Sequence, residues 1–306
     1  MKISCVFFNI SNDEAKNFIG DDFFSPNAIN SFKYWNPEIE VHFINDMNLK
    51  DYLKLLNINE YYDNLGIFRI HILKELMRKY DYDKVILLGV DTFTCARLDE
   101  FIDNDIDDLI CSSGPPYSFL KTEYWQPKIE SIMHNGMEYK DVSFINADVT
   151  CFNSLKAAEI VYEKTIEFWT GHAEQGGLNY CYINQDNLGI KVSIVDFPYI
   201  KTNVLYNVRS KGSACGGGQM YKGNLYSGNY KDPNSVIIGN VYPTTAYYVK
   251  DDCLFTTDGK QIKVFHYAEA LGCKTKYEYN ELIDEIKLMW FNNETIEFLK
   301  KCGCNF

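Results

Sequence analysis

The sequence predicts an α/β fold with a mostly parallel central sheet flanked by helices, and three observations carry that expectation. Residues 3–8, 41–44 and 84–88 are apolar runs of strand length with little polar alternation, as strands covered on both faces require. Helical patterns lie between them, clearest at 67–79, where apolar residues recur at three- and four-residue spacing. Strands alternating with helices form parallel βαβ units, whose ligand sites lie beyond the C-terminal ends of the strands.

In order, a strand at 3–8 is followed by a helix over roughly 13–35, a strand at 41–44, the helix at 67–79 and a strand at 84–88. Further strands are expected at 108–111 and 144–152, then a helix at about 154–169. A polar, glycine-bearing turn is expected at 171–177, then a short mixed stretch ending near Gly189 and a strand at 192–195. Residues 206–236 are rich in Gly, Ser, Asn and Tyr around Cys215-Gly216-Gly217-Gly218 and read as a loop that could serve as a lid. A strand at 262–267 and a helical stretch at 281–301 complete the chain. With no repeat and no long linker, a single domain is expected.

The 306 residues are 46% hydrophobic and 24% charged, which excludes disordered, collagenous and membrane-spanning classes. A net charge of -12, from 30 Lys+Arg against 42 Asp+Glu, argues against nucleic acid as a partner, because such binding needs a basic face. It leaves room for a local pocket that takes one diphosphate. The N-terminal apolar run is too short to span a membrane. Ten scattered cysteines, with no C-x-x-C pair, indicate reduced thiols and a cytoplasmic protein. Cys302-Gly303-Cys304 offers two ligands where zinc wants four, so a frayed C-terminus is expected there.

Several residues could carry chemistry. Asp91 follows the third buried strand, where a carboxylate either holds a divalent cation against a bound diphosphate or caps the next turn. His266 ends the strand at 262–267 and reads as a core histidine unless Asp91 lies nearby. Arg69 has Leu65, Gly66, Ile72 and Leu73 at helical spacing, so its anion must come from elsewhere: a structural acid or a ligand phosphate. Asn184-Gln185-Asp186-Asn187 would either orient a polyhydroxylated ligand or cap a helix. No G-x-G-x-x-G, P-loop, G-x-S-x-G or H-E-x-x-H motif is present.

Taken together, these segments resemble the GT-A (Rossmann-like) fold of nucleotide-sugar glycosyltransferases, most of all the glycogenin-like retaining enzymes of glycosyltransferase family eight. Ser11-Asn12-Asp13 resembles the family's T-N-D, and Phe68-Arg69-Ile70 followed by residues 82–92 resembles the stretch that ends in D-x-D. Residues 144–149 resemble y-f-N-a-G-v, residues 184–189 resemble D-Q-d-x-L-N, and Val264-Phe265-His266-Tyr267 with Gly272 and Lys274 resembles i-i-H-f…G…K. The resemblance implies a hexosyltransferase that moves a sugar from a UDP-sugar donor to a glycan, protein or small-molecule acceptor. It implies Mn²⁺ or Mg²⁺ on Asp91 and His266, nucleotide contacts from Ser11, Asn12, Arg69, Gly89 and Val90, and a diphosphate contact from Lys274 or Lys276. Asn146, Ala147, Asp148, Asn184 and Gln185 would surround the transferred sugar.

Three departures bear on activity: Gly89 replaces the first acid of D-x-D, Asp148 replaces the glycine of N-a-G, and Asn184 replaces the aspartate before Gln185. An alternative expectation is therefore a non-catalytic relative that binds the nucleotide sugar or a glycan without turnover.

Overall fold

A computed structural model describes residues 1–10, 24–60, 65–90, 92–113, 145–167, 174–195, 201–203, 219–221, 224–226, 237–240, 247–256, 259, 261–267 and 293–305. In chain order the elements begin β1 (Ile3–Asn9), α1 (Phe24–Trp35), β2 (Glu40–Asn45), α2 (Leu49–Leu56), α3 (Leu65–Tyr80), β3 (Lys84–Gly89), β4 (Thr92–Thr94) and α4 (Asp99–Ile102). They continue with β5 (Leu109–Ser113), β6 (Ile145–Phe152), α5 (Leu155–Glu167), α6 (Gln175–Ile183), α7 (Gln185–Leu188) and β7 (Val192–Val195). The last are β8 (Lys201–Asn203), β9 (Gln219–Tyr221), β10 (Asn224–Tyr226), β11 (Ile237–Asn240), β12 (Tyr247–Lys250), β13 (Cys253–Thr256), β14 (Val264–Tyr267) and α8 (Asn293–Lys301). The chain divides into two compact units, one of Met1–Asn12, Glu38–Val90 and Leu98–Asp196, the other of Asp13–Pro37, Asp91–Arg97 and Phe197–Phe306.

The first unit is built on a six-stranded sheet in the order β2-β1-β3-β6-β5-β7. β1 pairs in parallel with β2 and β3, and β5 with β7, while β6 runs antiparallel to both its neighbours. Five strands thus point one way, in agreement with the mostly parallel sheet expected. Val6, Phe8, Val85 and Leu87 pack with Leu73, Leu76 and Met77 of α3 and with Ala157, Ala158 and Val161 of α5 in one buried cluster. Burying each large apolar side chain contributes about 1.5–3 kcal/mol. Cys111 and Cys181 belong to the same cluster and act as small hydrophobes.

Lys84 opens β3 with its ammonium group buried. Its Nζ donates to the carbonyls of Ile102 at 2.8 Å and Asn104 at 2.7 Å and meets Asp105 at 2.7 Å, satisfying the exposed end of α4.

Two helices differ from expectation. Helix α2, absent from the sequence reading, ends on Asn57 at φ 55°, with Ile58 N–H bonded to Leu53 O and Asn57 N–H to Lys54 O. That left-handed asparagine is the helix stop that sequence reasoning passed over. The glycine-bearing turn at 171–177 gives way to helix from Gln175 onward. Gly176 and Gly177 are helical because α6 lies hard against α5: a Cβ on Gly177 would stand 2.6 Å from Thr165 N and 2.9 Å from Thr165 Cα.

In the second unit, β14 pairs antiparallel with β4 and in parallel with β8. Ser31 of α1 accepts a hydrogen bond from Thr94 N–H at 3.1 Å. Here α8 ends at Gly303, φ 84°, in a paired closure from Gly303 N–H to Lys300 O and Cys304 N–H to Leu299 O. The C-terminus is not frayed as expected. Asn305 N–H donates to Asn27 Oδ1 at 2.7 Å, Asn30 donates to Gly303 O at 3.1 Å, and Cys302 and Cys304 are 1% and 3% exposed. Burial pushes the Cys302 and Cys304 thiols up to about 11 and about 12.

The expected helix over 13–35 is observed only over 24–35, its earlier part lying outside the described residues, as do residues 215–218 and residues 281–292 of the last helix. The stretch 206–236 expected to be a loop contains strands β9 and β10, which pair antiparallel. Among the described residues no helix is long and apolar enough to cross a membrane.

Candidate functional site

At the C-terminal ends of β1 and β3, Phe8 pairs with Gly89, and Leu88 pairs with Val149 of β6. One step beyond the Leu88–Val149 pair stand Gly89 and Asp148, so the carboxylate missing from position 89 is present on the neighbouring strand. The ladder between β5 and β6 passes from Cys111–Thr150 directly to Ser112–Asn146, which leaves Ala147, Asp148 and Val149 in a bulge. A bulge re-aims the side chains it contains, and this one carries Asp148 to Arg69.

Arg69 lies near the start of α3 with its guanidinium 5.7 Å from the centre of the Phe8 ring, a favourable stacking distance for a cation. Its Nη2 stands 3.5 Å from Asp148 Oδ1 and 3.3 Å from Glu174 Oε1. Among the described residues, two carboxylates from distant parts of the sequence thus stand beside Arg69.

Glu174 directly precedes α6, and its carbonyl accepts the first helical bond from Leu178 N–H at 3.1 Å. Its side chain makes no capping bond and turns inward, where it is 0% exposed. Neither carboxylate oxygen has a hydrogen-bond partner among the described residues. Burial pushes the Glu174 carboxyl up to about 7; Arg69 opposes that rise and Asp148 adds to it. Two contacts hold this end of α6. Gly177 sits against Thr165, and Asn179 Oδ1 accepts Ile145 N–H at 3.0 Å, tying the helix to β6.

Glu174 was not singled out in the sequence, although a signal for it existed. Glu174-Gln175-Gly176-Gly177-Leu178-Asn179 fits acid-Gln-x-x-Leu-Asn, the pattern matched above to residues 184–189, and keeps the acid and the final asparagine that the later match lacks. The two glycines disguised it as a turn.

Asn184 and Gln185 hold the junction of α6, α7 and β7. Asn184 Nδ2 donates to Tyr180 O at 3.0 Å, Gln185 Nε2 to Tyr182 O at 3.1 Å, and Gln185 Oε1 accepts Val192 N–H at 2.9 Å. Their amides serve the capping role and have no bond to the Arg69 cluster. Gly89, Val90 and Ala147 are buried at the strand ends. Ser11, Asn12, Asp91, Lys274 and Lys276 lie outside the described residues, as do the side chains of Asn146 and His266.

β14 pairs with β4 so that His266 stands opposite Thr92, the residue that follows Asp91. Among the described residues no group of three His, Cys, Asp or Glu could hold a metal ion.

No family model and no curated protein matches the sequence. Solved structures do. The chain is similar to an active-site mutant of LgtC, at 14% identity over 97% of this chain and 99% of that one, TM-score 0.44. It is similar to the bifunctional glycosyltransferase WbbM in its apo form, at 15% identity over 98% of this chain and 51% of that one, TM-score 0.45. Mouse xyloside xylosyltransferase 1, also apo, matches at 11% identity over 70% and 96%, TM-score 0.43.

Proposed function

We propose that the chain is a metal-assisted glycosyltransferase of hexosyltransferase type, moving a sugar from a UDP-sugar to an acceptor hydroxyl with retention at the anomeric carbon. The observation that carries this reading is the β4–β14 register, which sets His266 opposite the residue after Asp91. Those two are the residues that the family resemblance makes metal ligands, and they are far apart in the sequence. Mn²⁺ or Mg²⁺ held there would neutralise charge on the departing diphosphate.

The remaining roles belong to the chain's own side chains. Ser11 and Asn12 bind the nucleotide and Lys274 the diphosphate, as the resemblance implies. Arg69 and Asp148 orient hydroxyls of the sugar, with the buried Glu174 bracing Arg69 from behind. Fixing those hydroxyls before reaction lowers the barrier by positioning, because the anomeric carbon is then presented in one orientation.

Gly89 favours a second reading. With no carboxylate at the end of β3, metal support is thinner, and a relative that binds the nucleotide sugar without transfer fits the same residues.

Incubating the purified protein with a panel of UDP- and GDP-sugars and Mn²⁺, with nucleotide release as the readout, separates the two. Release that Asp91→Ala abolishes supports the enzyme. Thermal stabilisation by UDP without release for any sugar supports the binding protein, and no effect of any nucleotide overturns both.

A further inference from the structure

A second polar cluster lies in the first unit, at the end of the sheet opposite to the candidate site, where β1, β2 and β3 begin. His42 of β2 is 7% exposed and is engaged at both ring nitrogens: Nε2 stands 2.8 Å from Tyr82 Oη and Nδ1 3.2 Å from Tyr52 Oη. Tyr82, just before β3, donates its hydroxyl hydrogen to Glu40 Oε2 at 2.5 Å. Tyr52 belongs to α2, whose Leu49, Leu53 and Leu56 rest on the apolar core.

Counting hydrogens fixes the direction of this chain. A carboxylate can only accept and a phenol has one hydrogen, so Tyr82, having given its hydrogen to Glu40, accepts from His42 Nε2–H. Nδ1 is then the bare nitrogen and accepts from the Tyr52 hydroxyl. Burial and then the bond to Glu40 push the Tyr82 hydroxyl up, which keeps its hydrogen in place. Every donor has an acceptor while the imidazole is neutral. A further proton can go only to Nδ1, where Nδ1–H and the Tyr52 O–H would face one another as two donors. Tyr52 must then turn its hydrogen away, and the ring becomes a cation in a buried place.

We propose that His42 is an acid-released catch for α2: neutral, it accepts the Tyr52 hydroxyl and holds the helix to β2; protonated, it loses that acceptor and α2 opens locally from the sheet edge. An eight-residue helix depends on such tertiary anchors, so α2 can open without the rest of the unit.

The groups that face His42 come from each neighbouring element. Glu40, two residues earlier on β2, has Oε1 3.9 Å from Nε2 and favours the charged ring, but its side chain is 56% exposed and water screens the attraction. Tyr80, at the end of α3, lies with its ring 5.7 Å from the imidazole. Lys2, before β1, places its ammonium 5.0 Å from the Tyr82 ring and 5.8 Å from the Tyr80 ring and donates to Tyr80 O. Burial outweighs Glu40 and holds His42 below the ordinary histidine value, so the catch is closed at neutral pH and released as pH falls.

The test uses the full chain labelled with ¹⁵N. His42, assigned by its loss in His42→Gln, should carry its proton on Nε2 and none on Nδ1 at pH 7.5, with a midpoint below about 6.5. Amide hydrogen exchange, corrected for its intrinsic pH dependence, should show protection of α2 falling about tenfold between pH 7.5 and pH 5 while residues 70–77 of α3 stay protected. Tyr52→Phe should lower α2 protection about fivefold already at pH 7.5. His42→Gln should make α2 protection insensitive to pH, and His42→Asn serves if that variant does not fold. A proton on Nδ1 at pH 7.5 or a midpoint above about 6.5 overturns the proposal. So does α2 protection that ignores pH in the native chain or Tyr52→Phe at pH 7.5, pH dependence kept in both His42 variants, or α2 and α3 opening together.

Discussion

Replacing Gly177 with alanine tests the packing that delivers Glu174 to Arg69. The added methyl would lie 2.3 Å from Thr165 Oγ1, 2.6 Å from Thr165 N and 2.9 Å from Thr165 Cα. Two of these three atoms are backbone, so no rotamer change relieves the overlap and α6 must shift away from α5. Alanine in place of a helical glycine gains about 1 kcal/mol in propensity, while overpacking of this kind costs about 3 kcal/mol. A net loss of about 2 kcal/mol is expected in urea titration, seen as a lower midpoint with unchanged slope. Adding Thr165→Ala removes only the hydroxyl contact, so the double variant should remain destabilised. Full recovery in the double variant, or an unchanged midpoint in Gly177→Ala, would refute the backbone clash. Because Glu174 lies one turn before Gly177, the same displacement should disturb the Glu174 titration, an effect that a purely global loss of stability would not produce.

Two further outcomes follow from buried charge. The Glu174 carboxyl lies at about 7 in the folded chain, above the range of an unfolded glutamate, so the native state holds the proton more tightly and stability falls as pH rises from about 4.5 to about 7. The full loss is about 3 kcal/mol, and Glu174→Gln should flatten that part of the pH–stability curve; an unchanged slope would show that Glu174 is ionised without penalty. Lys84→Met should cost about 2–3 kcal/mol in thermal or urea unfolding, because the carbonyls of Ile102 and Asn104 lose their buried donor. A loss under about 0.5 kcal/mol would mean that water replaces it.

Strand identity was legible because burial on both faces leaves a local mark: Ile3–Asn9, Lys84–Gly89 and Val192–Val195 coincide with apolar runs or lie within a residue or two of them. α3 announced itself through its apolar spacing. Local signals failed where a residue's conformation answers a distant partner. Glycines 176 and 177 read as a turn, since nothing nearby in the sequence says that Thr165 will press against Gly177. The tail at 302–305 read as loose because its partners, Asn27 and Asn30, lie near the other end of the chain.

The sequence by itself determined the class of fold, the order of the main buried strands with helix α3 between them, and most of the residue types on which the functional proposal stands. Arginine 69 could already be seen to lack an acid at ion-pairing spacing on its own helix. Which acids would answer it was decided only by tertiary structure, through the bulge in β6 that turns Asp148 and the close seating of α6 that brings in Glu174. The physical reason is the range of the forces involved. Periodicity and propensity act over a turn or a strand, whereas the protonation and pairing of buried carboxylates depend on charges brought together from remote segments, with water excluded only once the chain has folded.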